Sequence, residues 1–167
     1  MDFEVRPVVE DDWQKYRAIR LEMLLDTPAA FTVRLETAQA YTEAEWRERA
    51  ARGDGATHIL VVAIAADGTW VGTMGGYVDK EIGAPMLFGV YVAPAFRGRD
   101  AGVTDALLER VEAWAAERFS TLRLEVHEDN ARARAAYVNR GFVETGHRRP
   151  YDLDQTRDEI EMIKRLR

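Results

Sequence analysis

The chain has 167 residues, 47% of them hydrophobic, and a formal net charge of -6, which is typical of a single soluble globular domain. It contains no cysteine, so disulfide scaffolds, thiolate metal sites and cysteine nucleophiles are excluded. The negative charge argues against a general nucleic-acid binder, and the chain shows neither a signal-peptide pattern nor an apolar run that would span a membrane. We therefore expect a cytoplasmic protein that needs no metal.

The first half of the chain predicts one strand, two helices and three further strands. The segment FEVRPV predicts the first strand. A helix follows and ends before Pro28, because apolar residues recur at helical spacing: Trp13, Tyr16, Ile19, Met23 and Leu24. Thr42 and Glu45 have the spacing of a capping box, which predicts a second helix over residues 42–50. Residues 58–79 predict a β-hairpin, and PMLFGVYVA predicts another apolar strand.

The second half of the chain predicts a long helix, a strand, a short helix and a last strand. The long helix covers residues 102–119 and has one apolar face: Val103, Leu107, Leu108, Val111 and Trp114. LRLEV predicts a strand, and Asn130 and Gly141 are typical start and stop residues of the short helix between them. Alternation over residues 159–166 predicts the last strand. The order of elements predicts an α+β chain with a mixed, mostly antiparallel sheet.

The loop VYVAPAFRGRDAG, which joins a predicted strand to the long helix, has the features of an anion site. The free N–H groups and the positive end of the helix dipole point back at this loop. Gly98 and Gly102 permit a close approach of the backbone, while Arg97 and Arg99 add positive charge. The alternative is an arginine-rich turn that only solvates the helix end.

Together with the segment LRLEVHEDNARARAAYVNRGF, this loop resembles the GNAT superfamily of acetyl-CoA-dependent N-acetyltransferases. The first signature of that family occupies Arg97, Gly98, Arg99, Asp100, Ala101 and Gly102. The second occupies Asn130, Ala133, Tyr137, Gly141 and Phe142. The resemblance implies one GNAT-like acetyltransferase domain over residues 1–167, with helices on both faces of the central sheet.

The resemblance also implies a role for each matching position. Backbone groups of Val90 would polarise the thioester carbonyl, and those of Val92 would pair with the pantetheine arm. The amides from Gly98 to Val103 would hold the pyrophosphate. Asn130 would contact the pantetheine arm, Ala133 belongs to the cofactor-binding residues, and Tyr137 would protonate the departing CoA thiolate. The implied reaction is direct attack by a primary amine, from a small molecule or an exposed protein amine, in a ternary complex. The sequence leaves a homodimer open.

Two positions depart from the family's pattern. Asp100 stands where the family has its middle glycine, and its carboxylate would repel a pyrophosphate by about 1 kcal/mol at about 4 Å in a wet site. As a helix cap it would instead bond the amides of Gly102 or Val103. Met86 stands near the place where many relatives carry a glutamate base. A catalytically degenerate CoA-binding or interaction module is therefore the alternative hypothesis.

The sequence does not single out one general base. The candidates are Glu125, His127, Asp79, Glu81 and Glu22. Glu125 and His127 point to the same side of a strand, so either would relay a proton through water. Glu22 and Asp26 are spaced to clamp an ammonium group on one helix face. A solvated surface is the alternative for each of these residues, and an amine that arrives neutral needs no base.

Overall fold

The computed structural model describes residues 2–167. The strands are β1 (Phe3–Pro7), β2 (His58–Ala65), β3 (Trp70–Asp79), β4 (Ala84–Val92), β5 (Thr121–His127), β6 (Val143–Tyr151) and β7 (Asp154–Arg165), and the helices are α1 (Trp13–Asp26), α2 (Leu35–Gln39), α3 (Glu43–Ala50), α4 (Val103–Ala116) and α5 (Ala131–Val138). The strands form one sheet in the order β1-β2-β3-β4-β5-β7-β6. All neighbours are antiparallel except β4 and β5, which confirms the predicted mixed, mostly antiparallel sheet.

Two apolar clusters lie on opposite faces of this sheet. On one face, the predicted apolar stripe of α4 is buried, with Val103, Leu107 and Val111 fully inaccessible to solvent. On the other face, α1, α2 and α3 cover the sheet, and Met23 and Trp46 lie at the centre of their cluster. Helices therefore pack on both faces, as expected. Within residues 2–167, no helix combines the length and hydropathy that crossing a membrane would require.

Two elements, α2 and β6, were absent from the sequence prediction. The helix α2 has five residues, which is too short to set up a hydrophobic period. The strand β6 is exposed along its whole length except at Tyr151, because it lies at the edge of the sheet beside β7. An edge strand that buries neither face carries no apolar alternation, so VETGHRRPY gave no strand signal. The last strand also begins earlier than predicted, at Asp154.

The strands β4 and β5 diverge near the middle of the sheet. These parallel neighbours are paired at one position, Met86 with Arg123, and they separate beyond it. A parallel pair normally continues its ladder of hydrogen bonds along both strands. The separation therefore leaves the end of β4 paired with β3 on one side and without a partner strand on the side of β5.

A bulge in β4 lies just after this point. Tyr91 pairs with Thr73 and Phe88 pairs with Gly75, so two residues of β4, Gly89 and Val90, lie opposite a single residue of β3. Gly89 has a φ of +60°, which favours glycine. The bulge redirects the backbone of β4 at the gap.

Candidate active site

The gap between β4 and β5 opens into a cavity of about 580 Å³, here called the main cavity. Most of the residues implied by the resemblance line it: Val90, Val92, Arg97, Gly98, Arg99, Asn130, Ala133 and Tyr137. The remaining four, Asp100, Ala101, Gly102 and Val103, belong to the same loop and helix start but do not line it. The fold thus brings two segments that are about 30 residues apart in the chain to one site.

The backbone of β4 turns its free groups toward the gap. Ala93 donates a hydrogen bond of 2.8 Å to the Val71 carbonyl of β3. Successive residues of a regular strand direct their N–H and C=O groups to opposite edges, so Val92 faces away from β3, while Val90 belongs to the bulge and lines the main cavity. The Val92 carbonyl already accepts a hydrogen bond of 2.7 Å from Arg97 Nε. The N–H groups of Val90 and Val92 are therefore the backbone groups on offer at the gap.

The loop before α4 leaves a run of amides without acceptors. Gly98 and Gly102 have φ angles of +100° and +72°, so the left-handed positions fall on glycines. Gly102 donates to the Arg99 carbonyl at 3.1 Å, so one amide of the predicted phosphate site is already used. Among residues 2–167, no acceptor is found for the amides of Gly98, Arg99, Asp100, Ala101, Val103, Thr104 and Asp105. Such a cluster at a helix start is suited to phosphate oxygens.

Asp100 does not cap the helix. The cap residue is Gly102, which has no side chain to accept hydrogen bonds from the helix amides, and Asp100 is exposed in the short turn of Arg99–Ala101. The expected bond from Asp100 to the amides of Gly102 or Val103 is therefore wrong. Its backbone does not need the left-handed conformation either, because positive φ angles within residues 2–167 occur only at glycines. The helix amides thus remain available despite the substitution.

The two arginines of the loop hold it in place. Arg97 donates to the Val92 carbonyl and forms an ion pair with Asp26 at the end of α1, where the separation of Nη2 and Oδ2 is 2.5 Å. Arg99 donates to the Asn139 carbonyl after α5 at 3.3 Å. Arg97 therefore mainly fixes the position of the loop, because its charge is already paired with Asp26. Asp26 is occupied, and neither it nor Glu22 lines the main cavity, so the predicted ammonium clamp is not assembled there.

The helix α5 presents one amide and one hydroxyl to the main cavity. Asn130 Oδ1 accepts a hydrogen bond of 3.1 Å from the Ala133 amide, so its Nδ2 group remains to donate. The Tyr137 ring packs edge-on against Phe142, with centroids 5.6 Å apart. Burial raises the pKa of Tyr137 to about 12, and nearby Arg140 opposes this only in part. The phenol is therefore protonated at neutral pH and able to donate a proton.

The structure separates the base candidates. Glu125 and His127 line the main cavity, while Asp79 and Glu81 lie in the turn between β3 and β4, away from it. Asp79 Oδ1 there accepts a hydrogen bond of 2.8 Å from the Glu81 amide. Met86 is buried and does not line the main cavity. Candidates for proton transfer therefore come from β5.

His127 is the weaker of the two β5 candidates. Its Nδ1 accepts a hydrogen bond of 3.1 Å from the Asp129 amide. That bond requires a lone pair on Nδ1, so the neutral ring carries its proton on Nε2. The ring also packs edge-on against Tyr151 at 4.8 Å. His127 thus offers the main cavity a donor, whereas a base must accept a proton.

Glu125 belongs to a charged cluster that the sequence did not reveal. Its carboxylate pairs with Arg149 of β6, and Arg149 Nη2 lies 3.7 Å from Glu159 Oε2 on β7. Glu159 is only 7% exposed. Burial and the neighbouring Glu125 carboxylate raise the pKa of Glu159 to about 7, although Arg149 opposes this shift. The sequence contained only one indication of where Glu159 lies. The alternation in β7 places its side chain on the opposite face of the sheet from Ile160.

Comparisons with known proteins agree with this geometry. The family model described as "Acetyltransferase (GNAT) family" matches residues 17–142. A comparison with curated proteins found no match.

Solved structures show the same fold over the whole chain. A GNAT-family acetyltransferase from Streptococcus pneumoniae is 20% identical with a TM-score of 0.82, covering 99% of this chain and 100% of that one. A phosphinothricin acetyltransferase from Sinorhizobium meliloti is 21% identical with a TM-score of 0.78, covering 99% and 89%. A ribosomal-protein-alanine N-acetyltransferase from Brucella melitensis is 25% identical with a TM-score of 0.68, covering 98% and 99%.

Proposed function

Because this chain belongs to the GNAT acetyltransferase family, we propose that it transfers the acetyl group of acetyl-CoA to a primary amine. The observation that carries the proposal is the convergence, at one cavity, of the Val90 amide, the free amides of Gly98, Arg99 and Thr104, and the Tyr137 hydroxyl. One sheet runs from β1 to β7, so the proposal treats the chain as a single catalytic domain. The Sinorhizobium meliloti neighbour was solved in complex with acetyl-CoA, which supports this co-substrate.

The residues at the site fit acetyl-CoA, which supplies the thioester that the amine attacks. We assign the pyrophosphate to the amides from Gly98 to Ala101 and to the first turn of α4, because they lack acceptors within the described chain. The Val92 amide and Asn130 Nδ2 would hold the pantetheine arm. The amide groups of the pantetheine arm can form hydrogen bonds with a strand edge that has no partner strand.

Three groups of this chain would act on the reacting atoms. The Val90 amide would donate to the thioester oxygen as negative charge develops there, which is a large contribution in acyl transfer. Tyr137 would give its proton to the departing thiolate. Glu125, linked to Glu159, would accept the proton of the amine directly or through water. The amine attacks in a ternary complex, so no residue of the enzyme has to carry the acetyl group.

The alternative of a degenerate CoA-binding or interaction module receives no support from the geometry. Asp100 leaves the amides around it without internal acceptors, and Glu125 provides a carboxylate where Met86 does not. We therefore favour the enzyme. The proposed acceptor is a small molecule or an exposed protein amine, and we propose a cytoplasmic location. A homodimer stays a hypothesis.

The first test measures binding and turnover together. We expect acetyl-CoA to raise the melting temperature, because a ligand that binds only the folded state stabilises it. At a concentration of 100 times Kd the stabilisation is about 2.7 kcal/mol. A screen of amines for CoA thiol release should then identify an acceptor. If millimolar acetyl-CoA leaves the melting temperature unchanged, the enzyme proposal is wrong. A shift without thiol release from any amine would instead favour the non-catalytic alternative.

A second prediction concerns Asp100. We expect Asp100→Gly to tighten acetyl-CoA binding by up to about tenfold, since removal of an unfavourable contact of about 1.4 kcal/mol changes Kd by that factor. Titration calorimetry would measure it. Asp100→Asn is the matched control, because it removes the charge and keeps a side chain of the same shape. Equal gains in both variants would identify charge repulsion as the cause. Unchanged affinity in both would show that the carboxylate does not act on the pyrophosphate.

A further inference from the structure

A second cavity of about 350 Å³ lies between α1, α3 and the sheet, and we call it the side cavity. Its walls combine arginine and aromatic side chains, among them Arg20, Arg49, Arg52, Tyr41, Trp46 and Phe88. Mostly aromatic walls with a few polar groups are typical of small-molecule sites. Nothing in the proposed transfer mechanism uses this cavity.

The side cavity is positively charged although the chain as a whole is negative. None of its lining residues is acidic. Arg52 has a partner, Glu48 at 3.0 Å, but Arg20 and Arg49 form no ion pair with any residue of the described chain 2–167. Burial and the charges of Arg52 and Lys80 lower the pKa of His58, which also lines the cavity, so its ring is neutral at pH 7. The charge of the cavity suits an anion.

A buried donor in the wall also lacks a partner. Trp46 is 1% exposed and lines the side cavity, yet its Nε1 group has no hydrogen-bond acceptor within residues 2–167. Leaving a buried N–H unpaired is costly, and such groups in native proteins call for an explanation. A ligand oxygen in the side cavity would provide one.

Arg20 connects the side cavity to the site of acetyl transfer. Phe88 lines both cavities. A Cβ atom added to Gly89 would lie 3.2 Å from Arg20 Nη1, so the guanidinium lies directly against the bulge of β4. Gly89 immediately precedes Val90, whose amide is assigned to the thioester oxygen. The Arg20 guanidinium, which forms no ion pair within residues 2–167, therefore lies next to the proposed reacting centre.

We propose that the side cavity binds the acceptor, and that the acceptor is an aromatic α-amino acid whose carboxylate pairs with Arg20. This inference rests on the proposed acetyltransferase function. In an α-amino acid the amine nitrogen and the carboxylate carbon are about 2.5 Å apart, so a carboxylate on Arg20 keeps the amine near the bulge of β4. The aromatic side chain would pack against Tyr41, Trp46 and Phe88, where ring contacts add to apolar burial.

The test compares three pairs of amines that differ only in the carboxylate. Phenylalanine, tyrosine and tryptophan are paired with phenethylamine, tyramine and tryptamine, and kcat/KM is measured for each. We expect the wild-type protein to prefer the amino acid by at least about tenfold in at least one pair, since hydrogen bonds to charged groups are strong. In Arg20→Met this preference should disappear through a higher KM for the amino acid. The KM for acetyl-CoA and the rate with the decarboxylated amine should remain close to wild type.

Arg17→Met is the matched control, because Arg17 lies one turn earlier on α1 and lines neither cavity. It should keep the preference for the amino acid. Decarboxylated amines that are used as well as the amino acids in the wild type would overturn the inference. An equal loss for both members of a pair in Arg20→Met would overturn it as well, because a merely structural arginine would affect both.

A binding measurement separates this inference from the proposed function. The melting temperature is measured with CoA and each of the three amino acids, without turnover. A shift that depends on Arg20, together with no acetylation of any amine, would support the side cavity as a binding site and reject the enzyme proposal. If other amines are acetylated but none of the three amino acids shifts the melting temperature, the side cavity is not a site for these amino acids. The proposed acetyltransferase function would stand.

Discussion

Tyr137→Phe is expected to lower kcat by about a hundredfold while the affinity for acetyl-CoA stays near that of the wild type. General-acid catalysis contributes about this factor or more. Burial raises the pKa of Tyr137 to about 12, so the hydroxyl is protonated at neutral pH and can donate its proton when the CoA thiolate departs. The ring contact with Phe142 survives in the variant, and the hydroxyl bonds to no other group of residues 2–167, so the fold should be preserved. Steady-state kinetics with the best amine measures both constants.

Two controls make this prediction specific. The melting temperature of Tyr137→Phe should equal that of the wild type, because only an unpaired hydroxyl is removed. The defect should also shrink with an acetyl thioester of a more acidic thiol, since such a leaving group needs less proton donation. A variant that turns over at the wild-type rate would show that the tyrosine serves only in packing. An equal defect with both thioesters would argue for a positional role.

Glu125→Gln is expected to lower kcat/KM for the amine by about a hundredfold near neutral pH, because it removes the carboxylate that accepts the amine proton. Charged and polar groups face Glu125 from several elements: Arg149 on β6, Glu159 on β7, Tyr77 on β3 and Asp152 after β6. Glu159 carries a proton below its pKa of about 7 and is ionised above it. Ionised Glu159 adds a second negative charge beside Glu125, and a like charge makes a carboxylate a better proton acceptor, so the wild-type rate should rise with pH through about 7.

The pH series has matched variants. In Glu125→Gln the step near pH 7 should vanish, and the remaining rate should climb with pH toward the pKa of the amine itself. In Glu159→Gln the group that titrates near pH 7 is removed, so the step should disappear while most of the turnover remains. His127→Gln should keep the wild-type profile, since its Nδ1 is occupied by the Asp129 amide. A Glu125→Gln profile that matches the wild type would reject Glu125 as the base. A profile that is flat in every variant would indicate rate-limiting product release.

Local patterns in the sequence predicted the glycine loop before α4 and the cap that begins α5. The loop from Gly98 to Gly102 and the cap at Asn130 depend on backbone conformation over a few residues, which glycine and asparagine report directly. The structure adopts the positive φ angles at those glycines and the hydrogen bond from the Ala133 amide to Asn130. Arg97 was recognised as a motif residue, but its partners were not, since Asp26 lies 71 positions earlier in the chain.

The residues proposed to act on the amine could not be read from the sequence in the same way. Arg149 lies on β6, an exposed edge strand without an apolar pattern, so neither the strand nor its approach to Glu125 was predicted. Arg20 was indistinguishable from the other polar residues of an amphipathic helix. Its position against Gly89 arises from the packing of α1 over the bulge of β4.

The sequence by itself determined the order of most elements, the apolar faces of the helices and the loop that precedes α4. These features depend on the period of hydrophobic residues and on the conformational preferences of single residues, which act over a few positions. Only the tertiary structure decided where β4 and β5 separate and which charges meet. The burial of Glu159, which raises its pKa, requires β5, β7 and β6 to be in register. The positions of Arg20 and Arg49 in the side cavity depend on how the helices pack on the sheet. Long-range contacts of this kind leave no local pattern in the chain, because each partner is an ordinary polar residue until the fold removes it from water.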